Sequence, residues 1–221
     1  MPALRNVACA RWYGCRVATP AAGPGLHLVT IGEDAGRTAL LVDGVVQSIS
    51  PEDGLATGGY WAAMLPRVRP RRALILGLGG GTLVRLIQAR WGGGVSIVGV
   101  DDDPAIIETA RSVGWLPDAG LELVLADAFA YVQACTARFD YVAVDLFRGE
   151  HVVGRVFTKP FLRRVRALLE PRGWLAINFF RDAREPSRRE RISALGFDLR
   201  ACTYVGGNVV VHAQRRGMER A

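Results

Sequence analysis

One glycine run and three groups of acids carry the chemistry that can be read in this 221-residue chain. The glycines are Gly77, Gly79, Gly80 and Gly81, and they follow the apolar run Ala73–Leu76. Asp101-Asp102-Asp103 follows Val95–Val100, Asp127 follows Leu121–Leu125, and Asp145 follows Tyr141–Val144. Apolar runs of this length read as buried parallel strands. In an open α/β sheet the ligand lies at the carboxyl ends of such strands. Glycine lets the backbone turn sharply and lets a ligand approach, and the helix from Thr82 aims free N–H groups and a positive dipole end at the same place. A carboxylate at Asp101, with Asp102 beside it, accepts from both hydroxyls of a ribose. Asp103, just before Pro104, reads as a helix N-cap. Asp127 has two open roles, accepting from an adenine amino group or capping the helix that starts at Ala128. Asp145 stands where a reacting centre would lie, and a carboxylate is costly to bury without a partner. It is the candidate proton acceptor.

The identity of the ligand follows from spacing and charge. A dinucleotide fingerprint needs a third glycine at its sixth position, and this chain has Thr82 there. Several carboxylates around one pocket repel a pyrophosphate but suit a cationic sulfonium. The expected ligand is an S-adenosylmethionine-type nucleoside rather than NAD.

The elements that must position these groups alternate. Strands are expected at Ala73–Leu76, Val95–Val100, Leu121–Leu125, Tyr141–Val144 and Trp174–Phe179, with helices at Thr82–Arg90, Pro104–Val113, Phe129–Ala134 and Thr158–Leu169. Such alternation implies right-handed crossovers and a parallel sheet. An arginine-rich helix, Arg184–Leu195, is followed by a closing hairpin, Phe197–Thr203 and Asn208–Ala213. Upstream, Leu26–Ile31 and Thr38–Val42 read as a hairpin with a five-residue loop, Gly32–Gly36, and Val45–Ile49 as a third strand. Ser50–Asp53 reads as a helix start and Tyr60–Leu65 as helical. The expected architecture is α/β and Rossmann-like. It has a mainly parallel seven-stranded sheet with helices on both faces, a C-terminal antiparallel hairpin and a small N-terminal β segment. The division is residues 1–70 for the N-terminal segment with its short helix and 71–221 for the nucleoside-binding part.

Composition limits the rest. Half of the residues are hydrophobic and 22% charged, which is globular usage. No apolar run is long enough to span a bilayer, and the start, Met1–Asn6, lacks a signal-peptide core, so a cytoplasmic location is expected. Cys9, Cys15, Cys135 and Cys202 form no Cys-x-x-Cys pair, so isolated thiols are expected and no metal. The net charge is +7, and every basic residue but Lys159 is arginine. The clusters Arg67–Arg72, Arg163–Arg166 and Arg181–Arg191 have no interleaved aromatic platform, which argues against nucleic acid as a partner.

The block Leu74–Arg85, with Asp101–Pro104, Ala126-Asp127-Ala128 and Phe139–Asp145, resembles the class I S-adenosylmethionine-dependent methyltransferase fold. Within it, the chain is most similar to the spermidine-synthase-like branch. Leu41–Gln47 resembles that family's N-terminal β segment ending in Gln, Tyr60–Leu65 its Tyr-led helix, and Val156–Phe161 its Leu-Phe-Thr-x-x-Phe motif. The resemblance implies cofactor contacts at Gln47, Gly77, Gly79, Gly80, Gly81, Asp101, Asp102, Asp127, Ala128 and Asp145. Tyr60 and its neighbour Trp61 are candidate substrate contacts in the Tyr-led segment, and Arg148, Glu150 and His151 are candidate substrate contacts in the loop Leu146–Arg155 that would cover the acceptor. The resemblance also implies a homodimer.

The departures bear on activity. Family aminopropyltransferases hold the aminopropyl amine with an Asp in the glycine loop, where this chain has Gly80. They carry a second acid three residues after the proton acceptor, where this chain has Arg148. A guanidinium there repels a diamine. Trp61 replaces a usual polar residue, and the later Pro-Thr-Tyr-Pro segment has no counterpart in Arg181–Pro186. The leading expectation is methyl transfer from S-adenosylmethionine to a small-molecule acceptor, with Asp145 taking the proton. The alternatives are polyamine aminopropyl transfer from decarboxylated S-adenosylmethionine, with methylthioadenosine as product, and a non-catalytic nucleoside-binding oligomer.

Overall fold

The computed structural model describes residues 29–34, 37–50, 59–148 and 151–217. A small antiparallel sheet comes first, formed by β1 (Val29–Asp34), β2 (Arg37–Val42) and β3 (Val45–Ile49) in that order. Pairing of β1 with β2 runs from Val29↔Val42 to Asp34↔Arg37. Gly32-Glu33-Asp34 are therefore strand rather than loop, because the ladder bonds outweigh the turn preference of Gly and Asp. Leu26–Leu28, Pro51–Asp53 and the cysteines Cys9 and Cys15 lie outside the described residues.

The segment expected as a helix over Tyr60–Leu65 forms a single 3-10 turn, Ala62–Met64. Pro66 and Pro70 lie just beyond it, and proline cannot continue a helix. From there the chain alternates as expected through β4 (Arg72–Leu76), α1 (Thr82–Trp91), β5 (Ser96–Asp101), α2 (Pro104–Ser112), β6 (Leu121–Leu125), α3 (Ala128–Ala134) and β7 (Phe139–Val144). A two-strand hairpin not foreseen in the sequence, β8 (Phe147–Arg148) with β9 (His151–Val152), follows Asp145. Strands of two residues carry no periodicity to read. Then come α4 (Lys159–Leu168), β10 (Leu169–Phe180), α5 (Glu185–Ala194), β11 (Phe197–Val205) and β12 (Asn208–Arg215).

The large sheet has seven strands in the order β11-β12-β10-β7-β4-β5-β6. β6, β5, β4, β7 and β10 are parallel, and β12 and β11 close the edge antiparallel. Successive strand residues face opposite layers. Leu74, Leu76, Val98, Val100, Val142 and Val144 bury against α3 and α4, while Ala73, Ile75, Ile97, Tyr141 and Ala143 bury against α1. The N-terminal sheet wedges onto α1 and α2 by the same alternation. Ala39 and Ile49 pack with Trp61 and Leu86, whereas Leu40 packs with Ile106, Ala110 and Trp115. Strand order reverses at β4, whose neighbours are β5 and β7. The glycine turn leaves β4 at that point, with Asp145 on one side and Asp101 on the other.

Among the described residues, no helix is long and apolar enough to cross a membrane.

Candidate active site

Asp145 begins the site. Its backbone N–H donates to Leu76 O at 2.8 Å, which ties the end of β7 to the end of β4. Gly77 has φ +85°, and a Cβ there would stand 2.1 Å from the Asp145 carbonyl oxygen. Only glycine permits both that backbone conformation and that approach. The Tyr60 hydroxyl donates to Asp145 Oδ2 at 3.0 Å, and Asn178 Nδ2 donates to Oδ1 at 2.9 Å. Burial nonetheless pushes the carboxyl up to about 6, with the Asn178 and Tyr60 bonds opposing the rise. Burial first and the neighbouring Asp145 charge second raise Tyr60 well above its ordinary value, so it remains a protonated donor. Asn178 Oδ1 is buried with no hydrogen-bond partner among the described residues. An orphaned buried acceptor of this kind is costly, and beside a carboxylate it is suited to an N–H donor of a bound molecule.

The glycine loop is more self-contained than the sequence suggests. Gly77 and Leu78 donate to Val100 O, Gly79 to Asp101 Oδ2 at 2.8 Å, Gly80 to Ser48 Oγ at 2.7 Å, and Gly81 to Leu78 O. The N–H groups of Gly77 to Gly81 are thus each bonded within the chain. Asp101, expected on a ribose, also braces this loop, and its Oδ1 accepts from Asp103 N–H at 3.1 Å. Burial pushes Asp101 up to about 6 against those two bonds. The loop carbonyls are gathered by Arg85, which donates to Gly80 O, Trp115 O and Ile49 O and lies 4.7 Å over the Trp115 ring. Burial brings Arg85 down to about 10, which leaves it charged at neutral pH.

The other expected residues divide. Gln47 is the extra residue of a β-bulge, between the pairs Leu40↔Ser48 and Leu41↔Val46, and its carbonyl faces Gly79. Bulges re-aim side chains near functional sites. Gly81, at φ +79°, caps α1. Asp103 caps α2 through Ala105 N–H and Ile106 N–H, and Asp127 caps α3 through Ala130 N–H at 2.8 Å, with Ala128 buried at the first helical position. Asp127 Oδ1 makes the cap, so its second oxygen keeps the adenine role open. Asp102 forms an ion pair with Arg148 at 3.2 Å. Trp61, expected against substrate, turns into the core instead, at 7% exposure and stacked 4.5 Å from the Tyr60 ring. Glu150 and the side chain of His151 lie outside the described residues.

Sequence reading missed Ser48, Arg85, Trp115 and Asn178. Asn178 did leave a signal, as the lone polar residue in the run Trp174–Phe179. Arg85 left one too, as a cation in the first turn of a helix whose neighbours are buried.

The parallel sheet with its antiparallel edge, the glycine turn at the switch point and the acids at the strand ends define a Rossmann-like class I methyltransferase fold. Within that class the chain belongs to the spermine/spermidine synthase domain family, whose model matches residues 61–178. It is similar to the polyamine aminopropyltransferase of Chromobacterium violaceum, 34% identical over 154 residues that cover 66% of this chain and 58% of the relative. Polyamine aminopropyltransferase 2 of Hyperthermus butylicus is 31% identical over 144 residues, 61% of this chain and 47% of the relative. The chain thus spans about half the length of the curated relatives it matches. Among solved structures, a probable spermidine synthase from Corynebacterium glutamicum superposes with TM-score 0.71 at 17% identity, over 89% of this chain and 81% of the other. Spermidine synthase from Thermotoga maritima gives 0.65 at 18%, over 93% and 75%. Human methyltransferase-like protein 13 in complex with SAH gives 0.59 at 21%, over 69% and 75%.

Proposed function

We propose that this chain transfers an alkyl group from a sulfonium nucleoside to an amine, in the manner of a polyamine aminopropyltransferase. The observation that carries the reading is the Asp145 carboxylate, held by Tyr60 and Asn178 beside the unpartnered Asn178 Oδ1. These are acceptors arranged for an amine. The methyl transfer expected from the sequence has less support, since the named relatives are aminopropyltransferases.

Asp145 takes one proton from the acceptor's ammonium, and Asn178 Oδ1 accepts a second N–H and so orients the nitrogen. The freed lone pair attacks the carbon next to sulfur. The C–N bond forms and the C–S bond breaks, its electron pair stays on sulfur as a neutral thioether, and Asp145 returns its proton to water. A carboxyl near 6 narrows its gap to an alkylammonium by about two pK units relative to a solvated aspartate. The sulfonium supplies its own leaving group, so the chain's contribution is positioning and electrostatics.

The test is turnover of decarboxylated S-adenosylmethionine with putrescine, read by mass spectrometry as methylthioadenosine. Release of that product supports the reading. S-adenosylhomocysteine formed from S-adenosylmethionine instead would return the assignment to methyl transfer. One observation favours that second reading: a Cβ at Gly80 would lie 2.8 Å from Ser48 Cβ and 3.1 Å from Trp115 Cε3. The position from which, by the resemblance, family aminopropyltransferases hold the aminopropyl amine with an Asp is too crowded here for a side chain.

A further inference from the structure

Arg148 is a site residue that the scheme above does not use. It lies on β8, three residues after Asp145, in a hairpin folded back through Val153 N–H to Leu146 O at 3.0 Å. Strand neighbours point to opposite faces. Phe147 stands edge-on to Phe180 at 5.1 Å, while Arg148 reaches the other way to Asp102 Oδ2 at 3.2 Å. The pair therefore joins the end of β7 to the end of β5, across the glycine turn that leaves β4 between them. A cation thus lies at the carboxyl ends of the strands, on the side of the sheet from which the glycine turn leaves.

That cation is available to a ligand. The Arg148 and Asp102 side chains are 57% and 40% exposed, where solvent screens the attraction and an ion pair holds weakly. Asp102 engages a single Arg148 nitrogen, and a guanidinium carries five N–H donors in a planar fork that matches a carboxylate. A second cation of the same covering segment, Arg155, lies 4.2 Å over the Phe129 ring. The acids nearby have other partners: Asp101 holds Gly79 and Asp103, Asp127 caps α3, and Asp145 receives Tyr60 and Asn178. Among the described residues, the one carboxylate in contact with Arg148 is Asp102.

We propose that Arg148 binds a carboxylate of a reactant, so that the preferred acceptor is an amino carboxylate rather than a diamine, with its amine at Asp145 and Asn178 and its carboxylate on Arg148. This rests on the transferase reading above, and the same C–N forming, C–S breaking step applies. The same carboxylate chemistry has a second source, the methionyl carboxylate of an undecarboxylated donor.

The experiment is a two-by-two set. Decarboxylated or complete S-adenosylmethionine is each mixed with putrescine or with 4-aminobutyrate, using the full chain and its Arg148→Asp and Arg148→Lys variants. Thioether product is read by mass spectrometry. In parallel, calorimetry measures putrescine and 4-aminobutyrate binding to the chain preloaded with methylthioadenosine, or with S-adenosylhomocysteine. The expected result is that 4-aminobutyrate exceeds putrescine about tenfold in kcat/KM and in affinity, the scale of a charge-assisted pair. Arg148→Asp reverses that order and Arg148→Lys falls between. If only the complete donor and its product gain from Arg148, whatever the acceptor, the carboxylate belongs to the donor, and carboxylate recognition stands. Equal or better use of putrescine, with Arg148→Asp leaving the preference unchanged, overturns the inference. No thioether from any mixture defeats the transferase reading alone, and the calorimetric preference then decides the inference.

Discussion

The carboxylate of Asp145 is at once the candidate base and a burden on the fold. Burial raises it to about 6, so its charged form is the disfavoured one in the folded chain. The penalty is present in full above about pH 6 and vanishes below the unfolded value near 3.8. Asp145→Asn is therefore expected to gain stability at pH 8 relative to pH 4, by up to about 3 kcal/mol at 1.36 kcal/mol per unit, in thermal unfolding compared at the two pH values. Activity runs the opposite way. A base must be unprotonated, so kcat/KM of the wild type should fall as pH drops through about 6. Asp145→Asn should lose on the order of 10²–10⁴ in rate while remaining folded. A flat profile between pH 5 and 8 would remove Asp145 from that role.

At the scale of elements, the β4–α1 turn sets the distance between the two halves of the site. Gly77 abuts the Asp145 backbone, whereas Gly206, in the turn between β11 and β12, has φ +56° and open space around it. Gly77→Ala should cost about 3 kcal/mol or more, and Gly206→Ala only the left-handed penalty of about 1–2 kcal/mol. Denaturant unfolding of the two variants measures the difference. Arg85 joins that turn to the ends of β3 and of the α2 loop through carbonyls of Gly80, Ile49 and Trp115. Lysine offers one compact ammonium where two separated guanidinium nitrogens make these contacts. Arg85→Lys is thus expected to weaken methylthioadenosine binding about tenfold by calorimetry, with a stability loss of about 2 kcal/mol.

Across the whole molecule, the N-terminal sheet is not a free appendage. Leu40 completes a cluster with Ile106, Ala110 and Trp115, and Ala39 and Ile49 complete another with Trp61 and Leu86. Tyr60, which reaches Asp145, arrives by the same segment, and the turn after it is pinned by Tyr141 to Met64 O and by His212 to Ala63 O. The two parts should therefore unfold together. Tryptophan fluorescence, sensitive to Trp61 and Trp115 at the junction, and far-ultraviolet circular dichroism should give coincident transitions. A separate early fluorescence transition would show that the parts are independent.

What the sequence determined by itself was the alternation and the ends of strands. Mostly apolar runs with a glycine or aspartate within two residues of their ends placed β4 to β7 within about two residues, because burial on both faces leaves that imprint locally. Asp103 before Pro104 declared its cap through residue type and position alone, and the cap is one of the two roles that Asp127 before Ala128 left open. Tertiary structure alone decided how the acids divide their duties. Whether Asp101 meets a ribose or braces Gly79, and whether Arg148 faces solvent or Asp102, depends on strand order and on a hairpin too short to carry a period. Ser48 on Gly80, 32 residues distant, and Asn178 on Asp145, 33 residues distant, are contacts between strand ends that no spacing along the chain encodes. Hydrogen bonds of that kind exist only once the sheet has brought those ends together.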